Sequence, residues 1–219
     1  MLLATIPPHK EELNGIIEYL TYQMELLNVE VHLGKQAGAR DVVDGGFDEV
    51  VLAVGGQPIV PNLPGAGDLM TALDVLRGKQ TGSSVLIIGG GMVGCETAEY
   101  LVQQGKKVTI VEMLERVAAD VGPTSRWVLV KRLRDSGVGL LTKTRLVGVE
   151  GGKPVVESDG VRRALDAETV ILAVGMRPEQ TLYQQIRDMG MDVHLVGDCS
   201  SCKTIYEAVH SGWEVGCLV

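Results

Sequence analysis

A short apolar run that ends in closely spaced glycines constrains this chain more than any other feature. Residues Val85–Ile88 lead directly into the pattern G-x-G-x-x-G, whose glycines are Gly89, Gly91 and Gly94. Residues 92–104 follow with helix-forming composition. The spacing predicts a strand, a tight turn and a helix, in which the first glycine permits the turn, the second allows a ligand close to the backbone, and the third lets the helix lie against the sheet.

The residues beyond this helix complete a βαβ unit. Gly105 suits the position after a helix end, and residues 107–112 form a second apolar strand. The strand ends in Glu112, 23 positions after Gly89, where a carboxylate can accept the ribose hydroxyls of a bound dinucleotide. The alternative is a glycine-rich turn with a solvated Glu at a strand end. The complete strand–loop–helix–strand context favours dinucleotide binding.

The predicted cofactor is NAD(H), because the charge of Glu112 would repel the 2′-phosphate of NADP(H). Arg116 lies close enough in sequence to bind that phosphate, so NADP(H) stays open. The free amides and positive end of the helix would hold the pyrophosphate. The residues expected to line this site are Gly89, Gly90, Gly91, Met92, Val93 and Gly94.

Composition narrows the class of partner. The formal net charge is −8 over 219 residues, which argues against nucleic acid and against an acidic membrane surface. Four cysteines without an apolar N-terminal leader favour a reducing compartment, so we expect a cytoplasmic location. The four histidines lack ligand spacing, and we expect no metal site.

The segments around the βαβ unit predict further elements. Apolar spacing predicts a helix over Lys10–Leu27 with one buried face, and alternation predicts a strand over Val29–Leu33. A second strand is expected over Phe47–Val54. Gln57–Gly67 is rich in Pro and Gly and reads as a connection between domains. Gly151–Pro154 predicts the turn of a hairpin.

One segment of the chain occurs twice in similar form. Residues 51–58, VLAVGGQP, resemble residues 171–178, ILAVGMRP. Chance similarity of two buried strands that end in Gly and Pro is one explanation. The interpretation we favour is that two nucleotide-binding domains of one architecture are present.

Three parts of the chain resemble the two-dinucleotide flavoprotein reductases. They are the segment Gly89–Ala98, the two strand ends with the sequence Leu-Ala-Val-Gly, and the segment Val196–Cys199. The N-terminal segment Ile6–Leu13 and the Val-Gly-Asp-Cys sequence at Val196–Cys199 resemble the C-terminal half of the 2,4-dienoyl-CoA reductase, enoate reductase and trimethylamine dehydrogenase family. The resemblance implies an α/β fold in which a Rossmann-like NAD(P)-binding domain is inserted into an FAD-binding domain of the same type. The implied boundaries are 1–65 and 179–219 for a truncated FAD-type domain and 66–178 for the NAD(P) domain.

The resemblance also implies residue roles. Gly55, Gly197 and Asp198 would line FAD, Glu96 would sit beside the nicotinamide and flavin rings as the catalytic neighbour, and Gly175 would line the nicotinamide side. Asp198 can instead cap the next helix. Glu96 can instead be a first-turn glutamate stabilised by the helix dipole. The pair Cys199 and Cys202 has C-x-x-C spacing, but ordinary cysteines near a helix start are the favoured interpretation.

The sequence departs from this family in one respect. An FAD domain of this type begins with its own G-x-G-x-x-G loop, which is absent before Gly89. We therefore expect a fragment of a larger enoate or dienoyl reductase-like flavoenzyme, with FMN and an iron–sulfur cluster only in the absent part. The expected function is a pyridine nucleotide-dependent flavin oxidoreductase module that passes electrons to the remaining domains. FAD binding and turnover by this chain alone are in doubt, and the alternative is a nucleotide-binding domain without electron transfer.

Overall fold

The computed structural model describes residues 1–67 and 69–219 and divides into two compact units. Unit 1 consists of Met1–Leu20 and Pro58–Gly175, and unit 2 consists of Thr21–Gln57 and Met176–Val219. The chain therefore passes from unit 2 into unit 1 at Pro58 and returns at Met176.

The regular elements of the described residues are as follows. The strands are β1 (Val51–Leu52), β2 (Gly56–Pro58), β3 (Met70–Thr71), β4 (Ser84–Ile88), β5 (Lys107–Val111), β6 (Gly139–Leu141), β7 (Thr144–Glu150), β8 (Lys153–Ser158), β9 (Val161–Ala164), β10 (Thr169–Leu172), β11 (Met176–Pro178) and β12 (His194–Leu195). The α-helices are α1 (Leu13–Leu26), α2 (Ala39–Val43), α3 (Ala72–Leu76), α4 (Met92–Gln103), α5 (Pro123–Asp135), α6 (Thr181–Asp188) and α7 (Ile205–Gly216). Short 3₁₀ turns occupy Leu2–Thr5 and Gly197–Cys199.

Unit 1 is built on a five-stranded parallel sheet in the order β3-β10-β4-β5-β6. Strand β4 lies at the centre, so its apolar run is covered on both faces. On one face, side chains such as Ile87, Leu101 and Leu133 pack with the helices in a core that excludes solvent. On the other face, Leu86 and Val156 belong to a second core beneath the antiparallel sheet β7-β8-β9. The predicted α/β class with a parallel sheet is confirmed.

The predicted hairpin is also confirmed. Strands β7 and β8 pair antiparallel, with Glu150 opposite Lys153 across the turn at Gly151 and Gly152. The register shifts between Leu146 and Gly148.

Unit 2 contains two small two-stranded sheets. One joins β1 to β12 in parallel, and the other joins β2 to β11. Its core consists of Val50, Leu52, Ile186 and Cys199, with side chains of α2 and α6 packed around them.

Three expectations for the first fifty residues are corrected. The helix forms as α1, but none of its residues is buried. The strand predicted over Val29–Leu33 is wrong: the segment is irregular, and Leu33 is 89% exposed. Of Phe47–Val54, only β1 forms a strand. The physical reason is shared, because apolar periodicity predicts a buried face only where another element covers it, and no strand among the described residues pairs with 29–33.

Across residues 1–67 and 69–219, no helix combines the length and apolar character that a membrane span requires.

Candidate dinucleotide-binding site

At the glycine-rich turn after β4, backbone atoms approach too closely to leave room for side chains. Gly89 has φ +103, and a Cβ there would lie 2.3 Å from the Ala173 carbonyl oxygen. A Cβ on Gly94 would lie 2.0 Å from the Gly89 carbonyl oxygen. Because no side chain fits at either position, the turn brings α4 directly against the carboxyl ends of β4 and β10.

The first residues of α4 present backbone amides at this turn. Gly91 is the extended residue before the helix, and Met92 is its first residue. The Met92 N–H donates to the carboxylate of Asp120, 3.0 Å from each oxygen. Val93 is 42% exposed. The site therefore has the parts that a pyrophosphate needs, namely a side-chain-free approach and an anion-binding amide at a helix start.

Glu112 follows β5 and lies directly beside the turn. It is 7% exposed, and its two oxygens accept hydrogen bonds from Gly90 N at 2.6 Å and Leu114 N at 2.8 Å. The structure thus brings the predicted ribose-binding carboxylate next to the glycine loop. It also gives Glu112 a second role, since this carboxylate holds the loop backbone in place.

Arg116 is exposed on the segment after Glu112. It lines a surface groove together with Trp127 and three further basic side chains, namely Arg126, Lys131 and Arg134. Arg116 therefore follows Glu112 by four positions in the chain and lies in a groove that basic side chains share with the acids Glu115 and Asp135.

Glu96 lies in the second turn of α4 and pairs with Lys10. The Lys10 Nζ is 2.9 Å from Glu96 Oε1, and the Glu96 side chain is 14% exposed. Both residues belong to unit 1. Sequence reasoning missed Lys10, because no local spacing relates two residues so far apart in the chain.

Gly175 closes the unit 1 segment with φ +106, and its carbonyl oxygen accepts from Ile59 N at 3.0 Å. It follows Ala173, whose carbonyl abuts Gly89, by two positions. The residues just after β10 therefore include Ala173, whose carbonyl contacts the glycine turn, and Gly175, whose backbone has a positive φ.

Cys95, on the buried face of α4, is an inert thiol. Burial, together with nearby carboxylates such as that of Asp120, raises the pKa of the Cys95 thiol to about 12. Its Sγ–H donates to the Gly90 carbonyl oxygen at 3.4 Å. Cys95 therefore supports the turn through packing rather than through reactivity.

Unit 2 holds the remaining predicted residues. Gly55 has φ +81 with open space around it, and Gly197 has φ +64 and donates through its N–H to Ser211 Oγ at 2.8 Å. Asp198 Oδ1 accepts from Lys203 N at 3.4 Å. Asp198 thus sits just before α7, whose own N-cap is Thr204.

The C-x-x-C cysteines are engaged with the backbone. Cys199 is buried and donates to the Leu52 and Val196 carbonyl oxygens, while Cys202 donates to that of Asp198. Burial raises the pKa of the Cys202 thiol. In the described part of the chain, all four cysteines are free, and no group of three or more His, Cys, Asp or Glu residues is arranged to hold a metal ion.

With the glycine turn and Glu112 located, comparison with known proteins becomes informative. Residues 9–212 match the family model described as pyridine nucleotide-disulphide oxidoreductase. The chain belongs to this family. The family binds FAD and NAD(P)H. Membership therefore confirms the prediction that the chain is of a dinucleotide-binding type and the prediction that it is an oxidoreductase.

Larger relatives contain a region similar to the whole chain. The bilirubin reductase of Mediterraneibacter gnavus (strain CC55_001C) is 35% identical over 215 residues, covering 96% of this chain and 34% of that protein. The NADH oxidase of Thermoanaerobacter brockii is 35% identical over 222 residues, covering 97% of this chain and 34% of that protein. The structure of a 2-naphthoyl-CoA reductase superposes with TM-score 0.92 and 25% identity, covering 98% of this chain and 33% of that chain. The chain therefore spans about a third of the length of these relatives.

Proposed function

We propose that this chain is the nicotinamide-dinucleotide module of a larger flavin-dependent oxidoreductase of the enoate or dienoyl reductase type. The observation that carries the proposal is the turn that begins at Gly89, where no side chain fits at Gly89 or Gly94 and an α4 amide already holds a carboxylate. The larger relatives named as reductases and as an NADH oxidase support the reaction class.

Unit 1 supplies the residues that would hold the nicotinamide nucleotide. The Met92 and Val93 amides would bind the pyrophosphate, and Glu112 would accept from the adenosine ribose. Because the Glu112 carboxylate is buried beside Gly90, it would disfavour a 2′-phosphate, and we propose NADH as the preferred donor. Arg116 is the residue through which NADPH would bind instead.

Glu96 and Gly175 are proposed to lie on the nicotinamide side. In the structure, Lys10 Nζ lies 2.9 Å from Glu96 Oε1, so the mostly buried carboxylate has a cationic partner. This pairing would hold the Glu96 side chain in one orientation near the reacting rings.

Bound FAD would supply the hydride acceptor and the relay of single electrons to the remaining domains. Among the described residues of unit 2, Gly55, Gly197 and Asp198 would contact it. Gly55 leaves open space around its backbone, and Gly197 and Asp198 form the short 3₁₀ turn that precedes α7. The fit is partial, since the unit 2 sequence contains no G-x-G-x-x-G turn. We therefore assign the full FAD site to the parent flavoenzyme rather than to this chain alone.

The other expectations remain proposals that follow from composition. The free cysteines and the net charge of −8 support a cytoplasmic protein whose partners are a small nucleotide and the other domains of its parent enzyme.

The proposed function is tested by titrating the purified chain with NADH and NADPH by calorimetry, then adding FAD under anaerobic conditions and recording its absorbance. NADH binding with flavin bleaching would support the electron-transfer module. NADH binding without bleaching would support the nicotinamide-binding module and show that this chain alone transfers no electrons to FAD. If neither nucleotide binds, the proposal is wrong.

A further inference from the structure

Asp120 holds the amide that the pyrophosphate of a dinucleotide would need. Its carboxylate lies 3.0 Å from Met92 N through both oxygens. A Cβ built on Gly91 would come within 3.1 Å of Asp120 Oδ2, so the carboxylate also fills the space that Gly91 leaves. The protein's own anion therefore occupies the glycine cradle.

The backbone that carries Asp120 is held in place by a hydrogen bond to the glycine turn and by buried neighbouring residues. Residues 117–121 form a loop over the glycine turn, in which Ala118 N donates to the Gly90 carbonyl oxygen at 2.6 Å. Val117 and Ala118 are 4% and 0% exposed, and Val121 N donates to the Ala118 carbonyl oxygen at 3.1 Å. Asp120 itself is exposed. Rotation of its side chain therefore frees the Met92 amide without movement of the buried loop.

Two anions do not share this position favourably. The start of a helix stabilises one negative group through its free amides and the helix dipole. A pyrophosphate that arrives while Asp120 is bound would lose the Met92 amide and face a like charge at close range. Glu112 does not relieve the repulsion, since it is a second carboxylate on the same turn.

We propose that Asp120 is an internal competitor for the pyrophosphate subsite and sets the affinity of this chain for the nicotinamide nucleotide. The inference rests on the proposed function and deepens it. The bound nucleotide replaces Asp120 on the Met92 amide, and the displaced carboxylate turns into solvent.

The test compares Asp120→Asn and Asp120→Ala with the unaltered chain by calorimetry, using NADH and inorganic pyrophosphate as separate probes. Asp166→Asn is the matched control, because Asp166 is an exposed acid of unit 1 that pairs with Lys153 away from the turn. We expect both Asp120 variants to bind NADH roughly 3- to 10-fold more tightly at low salt, with a smaller gain at high salt. The Asp166 variant should change affinity by less than about twofold.

Unchanged or weaker NADH binding in both folded Asp120 variants, as judged by circular dichroism, would overturn the inference. If no form of the chain binds NADH, the proposed function fails, and the pyrophosphate arm decides the inference separately. Tighter pyrophosphate binding by Asp120→Ala than by the unaltered chain supports it, and equal or absent binding by both overturns it.

Discussion

Replacing Gly94 with Ala should force α4 away from β4 and loosen the packing at the centre of unit 1. The added Cβ would lie 2.0 Å from the Gly89 carbonyl oxygen and 3.3 Å from the Ala173 Cβ, whereas ordinary contact begins at 3.4 Å. Relief requires α4 to move by more than about 1 Å away from β4, because the Gly89 carbonyl is backbone and cannot rotate away. The buried side chains of α4, such as Leu101, would lose part of their packing in that movement.

Overpacking of this kind costs about 3 kcal/mol, near the top of the usual range. Because the chain divides into two compact units, amide hydrogen exchange resolved by segment is a better measure than one melting curve. We expect exchange in residues 84–111 to accelerate roughly 100-fold. Gly67→Ala is the control, since Gly67 lies in unit 1 with no neighbouring atom within 4 Å. Equal protection in Gly94→Ala and the unaltered chain would refute the close-approach argument.

Three further predictions concern single side chains of unit 1 and its thiols. Glu112→Ala should weaken NADH more than NADPH in calorimetric titration, because it removes the carboxylate that repels a 2′-phosphate; equal loss of both would show that the ribose assignment is wrong. The buried Cys95 has a pKa raised to about 12 and is protonated at pH 8, so iodoacetamide should label the exposed Cys217 and leave Cys95 unmodified until the chain unfolds. Labelling of Cys95 in the native chain would contradict its burial. Arg132→Met leaves the buried Glu99 without the guanidinium that donates to both its oxygens, and should lower the stability of unit 1, measured by hydrogen exchange, by roughly 2–4 kcal/mol. An unchanged protection pattern would mean that Glu99 finds another partner.

The glycine turn was predictable because its cause is local. Gly89 has the positive φ of +103 that favours glycine, and a Cβ on Gly94 would lie 2.0 Å from the Gly89 carbonyl oxygen of the same turn, so the spacing of these glycines carries most of the geometry. The contacts of Gly89 with Ala173 and of Gly91 with Asp120 come from distant segments. The hairpin at Gly151 and Gly152 also has a local cause, since the turn residues determine the pairing of β7 with β8.

Two features of the site have no such local signal. Lys10 reaches Glu96, and Asp120 reaches Met92, only after folding has brought distant segments together. The strand predicted over Val29–Leu33 failed for the converse reason, because alternation in sequence does not provide a neighbouring strand.

The most direct measurement of the central claim is an amide NMR titration of the ¹⁵N-labelled chain with NADH. The account predicts that the largest chemical-shift changes fall on Gly90, Gly91, Met92 and Val93, with Asp120 shifting as it leaves the Met92 amide. Shifts confined to other residues, or no shifts at saturating NADH, would contradict the assignment of this turn as the nucleotide site.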